Sequence, residues 1–185
     1  LCADAVRRAY AELPPSGPVP GEARIALLNS GNIRAKLKKG PVTRGHVQEM
    51  LPFGGNVVLV EVSGRELLDI LEHGFAALPA DDGRFPQVSG LRLAVNPNNP
   101  PGRRVLAVEL PVSPCLGFSP LEPDEKYTLA VNDFMAAGGD GYPHLADKPQ
   151  LRASMPVSEA LIRYLQKRDI SVYNDGPPVR IVFSE

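Results

Sequence analysis

Residues 56–78 join a strand-like segment directly to a helix-like segment, and this unit constrains the fold more than any other part of the sequence. The segment "NVVLVEV" (56–62) is rich in β-branched and apolar residues, which is typical of a buried strand. In "SGRELLDILEHGFAAL" (63–78), Ser63 and Glu66 have the spacing of a capping box, and the leucines after them recur at helical intervals. The sequence therefore predicts a buried strand that leads without a loop into an amphipathic helix.

Further helical and strand-like segments alternate along the chain. The other predicted helices are 1–12, 42–51 and 157–168. The other predicted strands are 23–29, 126–133 and 179–184. Thr43 and Ser158 occupy N-cap positions, and the alternating segments 88–95 and 103–110 flank a turn-rich sequence, as in a hairpin. Because hairpin-like pairs are mixed with helix–strand units, we predict an α+β domain with a mixed β-sheet and packed helices rather than a doubly wound sheet.

Length and charge limit the classes of partner. The 185 residues suit one globular domain, and a content of 43% hydrophobic and 22% charged residues excludes disorder as the main state. The net charge is −1, and the basic residues concentrate only in "RAKLKKG" (34–40), with Arg44 nearby. Such a cluster is compatible with a solvated turn or with a local anion site, but it is too small for a nucleic-acid groove.

The start of the sequence and the two cysteines give less information about the function. No apolar run approaches the ~18 residues of a membrane span. The sequence opens "LCADAVRRAYAEL", without Met and with helical spacing under way, so we interpret it as a piece of a longer protein with any targeting segment upstream. Cys2 and Cys115 match no zinc-binding spacing, and they permit one disulfide without requiring it.

The stretch "NDFMAAGGDGY" (132–142) crowds three glycines around one aspartate after a predicted strand. It lacks the Lys and Ser/Thr of a phosphate-binding loop, the glycine spacing of a dinucleotide fold and the alternating oxygen ligands of a calcium loop. Two interpretations remain. The stretch is either a simple turn, with Phe134 in the core and Asp140 binding its own backbone, or one wall of a pocket.

Two earlier loops are further candidates for a binding site. In "NSGNIR" (29–34), Asn29 stands where a strand should end, and Arg34 offers donors that suit phosphate or ribose oxygens. A structural Asn beside a surface Arg fits these residues equally well. In "LPFGGN" (51–56), Phe53 lies between proline and two glycines, so its ring either enters the core or stacks on a planar ligand.

No reaction centre is evident. His46, His73 and His144 stand apart without the spacing of a metal site, and the sequence contains neither a G-x-S-x-G elbow nor an H-E-x-x-H helix. We therefore predict no catalytic residue and no metal ligand in this chain, and we interpret the histidines as structural or surface residues. The sequence predicts a binding site without its own catalytic machinery.

Four segments together resemble the C-terminal domain of the 5′-nucleotidase family, which includes bacterial periplasmic 5′-nucleotidases, UDP-sugar hydrolases and animal ecto-5′-nucleotidases. The segments are "NSGNIR", "VTRGHVQEMLPFGGNVVLVEVSGREL", "FPQVSGLRL" and "NDFMAAGGDGY". Their order and spacing agree over nearly the whole chain, from the first helix to "VRIVFS". The resemblance implies that residues 1–185 are one substrate-binding domain, with an N-terminal metallophosphatase domain of the same polypeptide outside this sequence.

The resemblance also implies a division of labour. The N-terminal domain would hold two divalent metal ions and the catalytic His/Asp pair, while the C-terminal domain would need no cofactor and would carry the nucleoside or nucleotide towards the metals. By motif, Phe53 and Phe134 would clamp the base, and Asp140 would bind the ribose hydroxyls. Asn29 and Arg34 would contact ribose, phosphate or base.

This sequence departs from the motifs of its relatives in two places. Many relatives read N-G-G-G-I-R where this chain has Ser30 and Asn32, which either add side-chain contacts or adjust the turn. Some bacterial relatives carry Asn at the position of Gly55, and the resemblance implies that the hydrogen bond of that Asn to the base edge would be missing here. Further arginines of the family site precede Leu1.

We therefore expect a periplasmic or extracellular hydrolase of nucleotide phosphate esters, of which the isolated domain is inactive. The alternatives are a non-catalytic binding or interaction module, or a relative that acts on cyclic nucleotides, nucleotide sugars or thiosulfate-type sulfur groups. The pair Phe53 and Phe134 favours a nucleobase as the ligand.

Overall fold

A computed structural model describes residues 1–10, 23–113, 117–167 and 179–184. The helices are α1 (Cys2–Arg8), α2 (Arg44–Met50), α3 (Gly64–Phe75), α4 (Asp133–Ala136) and α5 (Val157–Lys167). The strands are β1 (Ile25–Asn29), β2 (Asn56–Ser63), β3 (Pro86–Ser89), β4 (Arg92–Val95), β5 (Val105–Ser113), β6 (Gly117–Pro120), β7 (Lys126–Asn132), β8 (Arg152–Pro156) and β9 (Ile181–Phe183). Two 3₁₀ turns, Ser30–Asn32 and Gly139–Gly141, follow β1 and α4.

The strands form two mixed sheets. The larger has the order β3-β1-β7-β2-β8, with β1 and β7 parallel and the other neighbours antiparallel. The smaller has the order β6-β5-β4-β9, in which only β4 and β9 run parallel. This arrangement confirms the predicted α+β class with a mixed sheet and packed helices.

The larger sheet is buried on both faces, and β2 shows why. Alternate residues of a strand point to opposite faces. Val58 and Val60 belong to a core with α3 and the smaller sheet, whereas Val57 and Leu59 belong to a second core with α1, α2 and α5. This two-sided burial explains the nearly continuous apolar run from which the strand was predicted.

Local capping signals were mostly predicted correctly. Ser63 Oγ accepts a hydrogen bond from the Glu66 amide, and the Glu66 carboxylate accepts one from the Ser63 amide at 2.8 Å, which completes the capping box of α3. Thr43 caps α2 in the same way through His46. The N-cap assigned to Ser158 is wrong, because β8 leads directly into α5 at Val157 and places Ser158 inside the first turn.

The predicted strand 88–95 is divided between the two sheets. Gly90, with φ of +83°, separates β3 from β4, and an added Cβ there would come within 2.1 Å of the Arg24 carbonyl oxygen. Only glycine fits both the backbone angle and the close approach. The hairpin itself is confirmed for β4 and β5, since Leu93 pairs with Val108 in an antiparallel ladder.

Cys2 is buried, and its Sγ lies 4.0 Å from Sδ of Met50. Burial raises the pKa of the Cys2 thiol to about 11. Cys115 lies outside the described residues, as do positions 11 and 12 of the first predicted helix.

Across the described ranges, no helix combines the length and hydropathy needed to cross a bilayer.

Candidate functional site

The topology of the larger sheet brings three loops to one edge. The parallel strands β1 and β7 end side by side at Asn29 and Asn132, and ligand sites commonly form where parallel strands end. Strand β2 is antiparallel to β7, with Val57 opposite Asn132, so the loop that precedes β2 also reaches this edge. The loops after β1, before β2 and after β7 therefore surround a common space.

That space is a cleft of about 360 Å³. It is lined by Asn29, Gly31, Asn32, Phe53, Gly54, Gly55, Asp133, Phe134 and Asp140. Four of the five predicted binding residues are among these, and the fifth, Arg34, lines an adjoining cavity of about 470 Å³ that shares Gly31 with the cleft. Residues that are up to 111 positions apart in sequence thus meet at one site.

The two phenylalanine rings of the cleft are exposed. Phe53 is 65% exposed on its glycine-rich loop, and Phe134 is 51% exposed at the second position of α4. Burying a phenylalanine side chain stabilises a protein by about 1.5–3 kcal/mol. Two rings that stay more than half exposed in one cleft forgo much of this stabilisation. The interpretation that places either ring in the core is therefore wrong.

Asp133 ties the loop of one ring to the helix of the other. Its carboxylate accepts a hydrogen bond from the Asn56 backbone amide at 2.8 Å. An added Cβ at Gly55 would lie 2.6 Å from Asp133 Oδ1, so the loop can approach only because it is glycine there. Asp133 directly precedes Phe134, and this contact sets the position of the Phe53 loop relative to that ring. Nothing in the sequence indicated this role.

Phe134 lies against the backbone of the glycine-rich loop. An added Cβ at Gly139 would approach Cε1, Cδ1 and Cζ of the ring to within 2.5–2.6 Å. The absence of a side chain at Gly139 therefore allows the ring to occupy its place at the cleft wall.

Asp140 adopts the left-handed backbone conformation, with φ of 56° and ψ of 15°. Asn29 Nδ2 donates a hydrogen bond to Asp140 Oδ2 at 2.6 Å. His73 Nε2 lies 2.9 Å from the Asp140 carbonyl oxygen, and because a carbonyl only accepts, Nε2 carries the proton. Two contacts from other elements thus hold Asp140 in a conformation that few non-glycine residues adopt.

Asn29 is anchored at both ends of its amide. Asn132 Nδ2 donates to Asn29 Oδ1 at 3.0 Å, and Asn132 Oδ1 in turn accepts the Met135 backbone amide at 2.8 Å. Both asparagines are buried. The network runs from the start of α4 through β7 and β1 to Asp140, so the structure makes Asn29 a support for Asp140. Asn132, which belongs to the quoted glycine-rich stretch, was not predicted as part of the site.

Arg34 lies beside the Phe53 ring. Its guanidinium carbon is 5.8 Å from the centre of the Phe53 ring, and its Nη1 is 3.5 Å from the Gly31 carbonyl oxygen. The side chain is exposed, and the backbone amide donates to the Met50 carbonyl at 2.8 Å. Arg34 therefore stands where the cleft joins the neighbouring cavity, with its charge directed to solvent.

A second arginine approaches the site from the loop before β3. Arg84 Nε donates to Asp82 Oδ1 at 2.9 Å, and the Arg84 carbonyl accepts a hydrogen bond from Tyr142 Oη. Asp82, and to a smaller extent Asp140, raise the pKa of the Arg84 guanidinium above its usual value. Burial raises the pKa of the Tyr142 hydroxyl, so it stays a neutral donor. Sequence reasoning missed Arg84, because no pattern links it to the glycine-rich loop.

The histidines have structural partners. His46 completes the cap of α2, His73 contacts Asp140, and His144 Nε2 lies 3.0 Å from Asp69 Oδ2. In the part of the chain that the structure describes, no three His, Cys, Asp or Glu residues are grouped so as to hold a metal ion.

Comparisons with known proteins agree with this architecture. The sequence model of the family described as "5′-nucleotidase, C-terminal domain" matches residues 1–147. The trifunctional nucleotide phosphoesterase protein YfkN of Bacillus subtilis (strain 168) is 40% identical over 120 residues, which cover 65% of this chain. A 5′-nucleotidase of Vibrio cholerae is 32% identical over 164 residues, or 88% of this chain.

A solved structure shows the same fold. The crystal structure of a 5′-nucleotidase precursor from Thermus thermophilus matches 98% of this chain, with a TM-score of 0.82 and 33% identity. The chain spans only part of each relative: 8% of the Bacillus protein, 28% of the Vibrio enzyme and 34% of the Thermus chain. The chain therefore belongs to the 5′-nucleotidase C-terminal domain family.

Proposed function

We propose that this chain is the nucleoside-binding domain of a hydrolase that acts on nucleotide phosphate esters. The observation that carries the proposal is the pair of exposed rings, Phe53 and Phe134, which line one cleft together with the Asp140 carboxylate. A planar base, a ribose and a phosphate have the chemistry that two rings, a carboxylate and an arginine would recognise.

The base would bind between the two phenylalanines. Stacking of a base on an aromatic side chain contributes about 1–3 kcal/mol and depends little on the identity of the base. The cleft volume of about 360 Å³ lies in the range of small-molecule sites. Asp133 and Gly139, which fix the two rings, would thereby set the width available to the base.

The ribose would bind to Asp140. Its carboxylate oxygens together offer about four lone-pair sites, and the hydrogen bond from Asn29 uses one of them. Enough acceptor capacity remains for both hydroxyl groups of a ribose. The hydrogen-bonded support from Asn29 and His73 presents the carboxylate in a fixed position, which lowers the entropic cost of binding.

The phosphate end would lie towards Arg34. A guanidinium binds phosphate oxygens through charge-assisted hydrogen bonds, and Arg34 is exposed where the cleft opens into the neighbouring cavity. The exposed lysines that follow, Lys36, Lys38 and Lys39, add positive charge on the same loop.

The residues of this chain would bind and orient the substrate, and the hydrolytic step is not assigned to any of them. By family resemblance, two divalent ions and a catalytic His/Asp pair would belong to an N-terminal domain of the same polypeptide. We place the whole protein in the periplasm or outside the cell, and we infer that the chain alone does not hydrolyse nucleotides.

The aromatic pair also favours a nucleotide over a thiosulfate-type ligand. A sulfur group of the thiosulfate type has no planar surface to fill the space between two exposed rings, whereas every nucleotide does. A non-catalytic module that binds nucleosides would share the cleft, so activity of the full-length protein separates that case from a hydrolase.

Calorimetric titration with adenosine, AMP and ribose 5-phosphate tests the binding function. We expect adenosine and AMP to bind, and ribose 5-phosphate to bind at least about tenfold more weakly because it lacks the base. Equal affinity for AMP and ribose 5-phosphate would contradict the assignment of the cleft to a nucleoside.

A further inference from the structure

We propose that Asn32 recognises the edge of the bound base, and that its side-chain amide accepts a hydrogen bond from an exocyclic amino group such as that of adenine. This inference rests on the proposed function of the cleft and deepens it. It assigns the selectivity of the site to a residue that stands outside the aromatic pair and the ribose-binding carboxylate.

The first observation is an unpartnered polar atom. Asn32 lines the cleft and is only 7% exposed, and its Oδ1 is buried without a hydrogen-bond partner among the described residues. Buried side-chain oxygens in folded proteins nearly always have a partner. An acceptor without one, in the wall of a ligand cleft, points to a donor supplied by the ligand.

The second observation is that the other amide of the cleft is held in place by protein partners, with capacity for one further hydrogen bond at each end. Asn29 donates to Asp140 and accepts from Asn132, so both ends of its side chain have protein partners. Asn32 is the remaining neutral amide among the residues that line the cleft. Gly54 and Gly55, which follow Phe53 on its loop, have no side chain that could contact a base edge.

The position of Asn32 favours the base over the ribose. Asn32 ends the 3₁₀ turn that the Ile33 amide closes by donating to the Ser30 carbonyl at 2.9 Å. Two residues later the Arg34 amide donates to the Met50 carbonyl at 2.8 Å, at the end of the helix that leads into the loop of Phe53. The backbone that follows Asn32 is thus tied to the segment that leads into the loop of Phe53, the ring on which a base would stack.

The chemistry of an asparagine side chain suits an amino-bearing base. An amide can accept from the amino group of adenine and donate to the adjacent ring nitrogen, as asparagine does with adenine in DNA recognition. Rotation about the terminal torsion of Asn32 exchanges its oxygen and nitrogen, and this torsion has a broad, two-fold profile. Either end of the amide can therefore turn to meet the ligand.

The test compares adenosine with purine riboside, which lacks only the amino group, by calorimetric titration of the wild-type chain and of Asn32→Ala. We expect the wild-type chain to prefer adenosine by about fivefold to tenfold, as for one net hydrogen bond. In Asn32→Ala this preference should fall to about twofold or less, while purine riboside binds as in the wild type. Binding of purine riboside by the variant also shows that its cleft is folded.

The outcomes separate this inference from the function on which it rests. Asn98→Ala, which removes an exposed asparagine that does not line the cleft, should keep the wild-type preference. An unchanged preference in Asn32→Ala, or no preference in the wild type, would overturn the role of Asn32 and leave nucleoside binding intact. Failure of the wild-type chain to bind either nucleoside would overturn the proposed function, and the role of Asn32 with it.

Discussion

Asn29 donates a hydrogen bond to Asp140 at 2.6 Å across 111 residues of sequence. This contact joins the end of β1 to the glycine-rich loop after β7, and it belongs to a network that continues to Asn132 and the first turn of α4. The relationship gives Asn29 a positioning role beside the ligand contact implied by family resemblance.

Replacement of Asn29 by Ala tests this role. The variant leaves Asn132 Nδ2 without its buried partner and releases Asp140, so we expect a loss of about 1–3 kcal/mol in the free energy of unfolding. We also expect about tenfold weaker adenosine binding, since an unsupported carboxylate must be ordered by the ligand. Urea denaturation and calorimetry measure the two effects. Wild-type affinity in a measurably destabilised variant would show that Asp140 does not depend on Asn29 for binding.

Gly139→Ala tests whether adenosine binding depends on the position of the Phe134 ring in the cleft wall. The new methyl group would lie within 2.5–2.6 Å of three ring carbons, so the ring must move out of its place in the cleft wall. We expect adenosine affinity to fall by about fivefold or more, because stacking on a misplaced ring is weakened. Gly45→Ala on α2 is the matched control. Its added methyl group would lie 3.6 Å from the nearest neighbouring atom, so this variant should bind adenosine as the wild type does. Equal affinities in the two variants would argue against a role for the ring.

Asp133 should control the loop that carries Phe53. Asp133→Ala removes the acceptor of the Asn56 amide, and we expect faster hydrogen exchange at that amide together with about threefold to tenfold weaker adenosine binding. Asp133→Asn keeps an oxygen acceptor and should have a smaller effect on both measurements. If exchange accelerates while the affinity stays constant, the loop position is irrelevant to the ligand.

The Glu66 carboxylate predicts a specific pH dependence of stability. Hydrogen bonds from Lys148 and from the Ser63 amide lower the pKa of Glu66 from 4.5 to about 2. Because the pKa in the folded state is depressed, the stabilisation is fully present above about pH 4.5 and is lost as the pH falls towards 2. The side chain is 27% exposed, so solvent screening limits the effect to about 1–2 kcal/mol.

The measurement is urea unfolding of the wild-type chain and of Glu66→Gln at pH values from 2 to 7. The variant should be less stable at pH 7, and the difference from the wild type should shrink between pH 4.5 and 2. A difference that is constant over this interval would mean that the carboxylate is not preferentially stabilised in the folded state.

Structural features that depend on residues close together in the sequence could be predicted from it. Ser63 and Glu66 are three positions apart, so the capping box could be predicted from their spacing alone. The apolar run of β2 and the hairpin of β4 and β5 are equally local. Strand β3 was merged with β4 because the steric demand at Gly90 comes from Arg24, which is distant in sequence.

Long-range contacts set the limits of prediction for the site. The contact of Asp133 with the Asn56 amide spans 77 residues, and that of His73 with Asp140 spans 67. Neither contact leaves a pattern in the sequence, because no local spacing marks these residues as partners and only the fold brings them together. The motifs therefore located the phenylalanines and Asp140, whereas the residues that position them became evident only in three dimensions.

Titration of adenosine into the wild-type chain, Phe53→Ala and Phe134→Ala tests the central claim most directly. Each substitution should weaken binding by about tenfold or more, since each removes one stacking surface worth about 1–3 kcal/mol. Phe183→Ala, which removes an equally exposed ring on β9, should bind adenosine as the wild type does. Wild-type affinity in both Phe53→Ala and Phe134→Ala would contradict the account, because the cleft would then not hold a base between these rings.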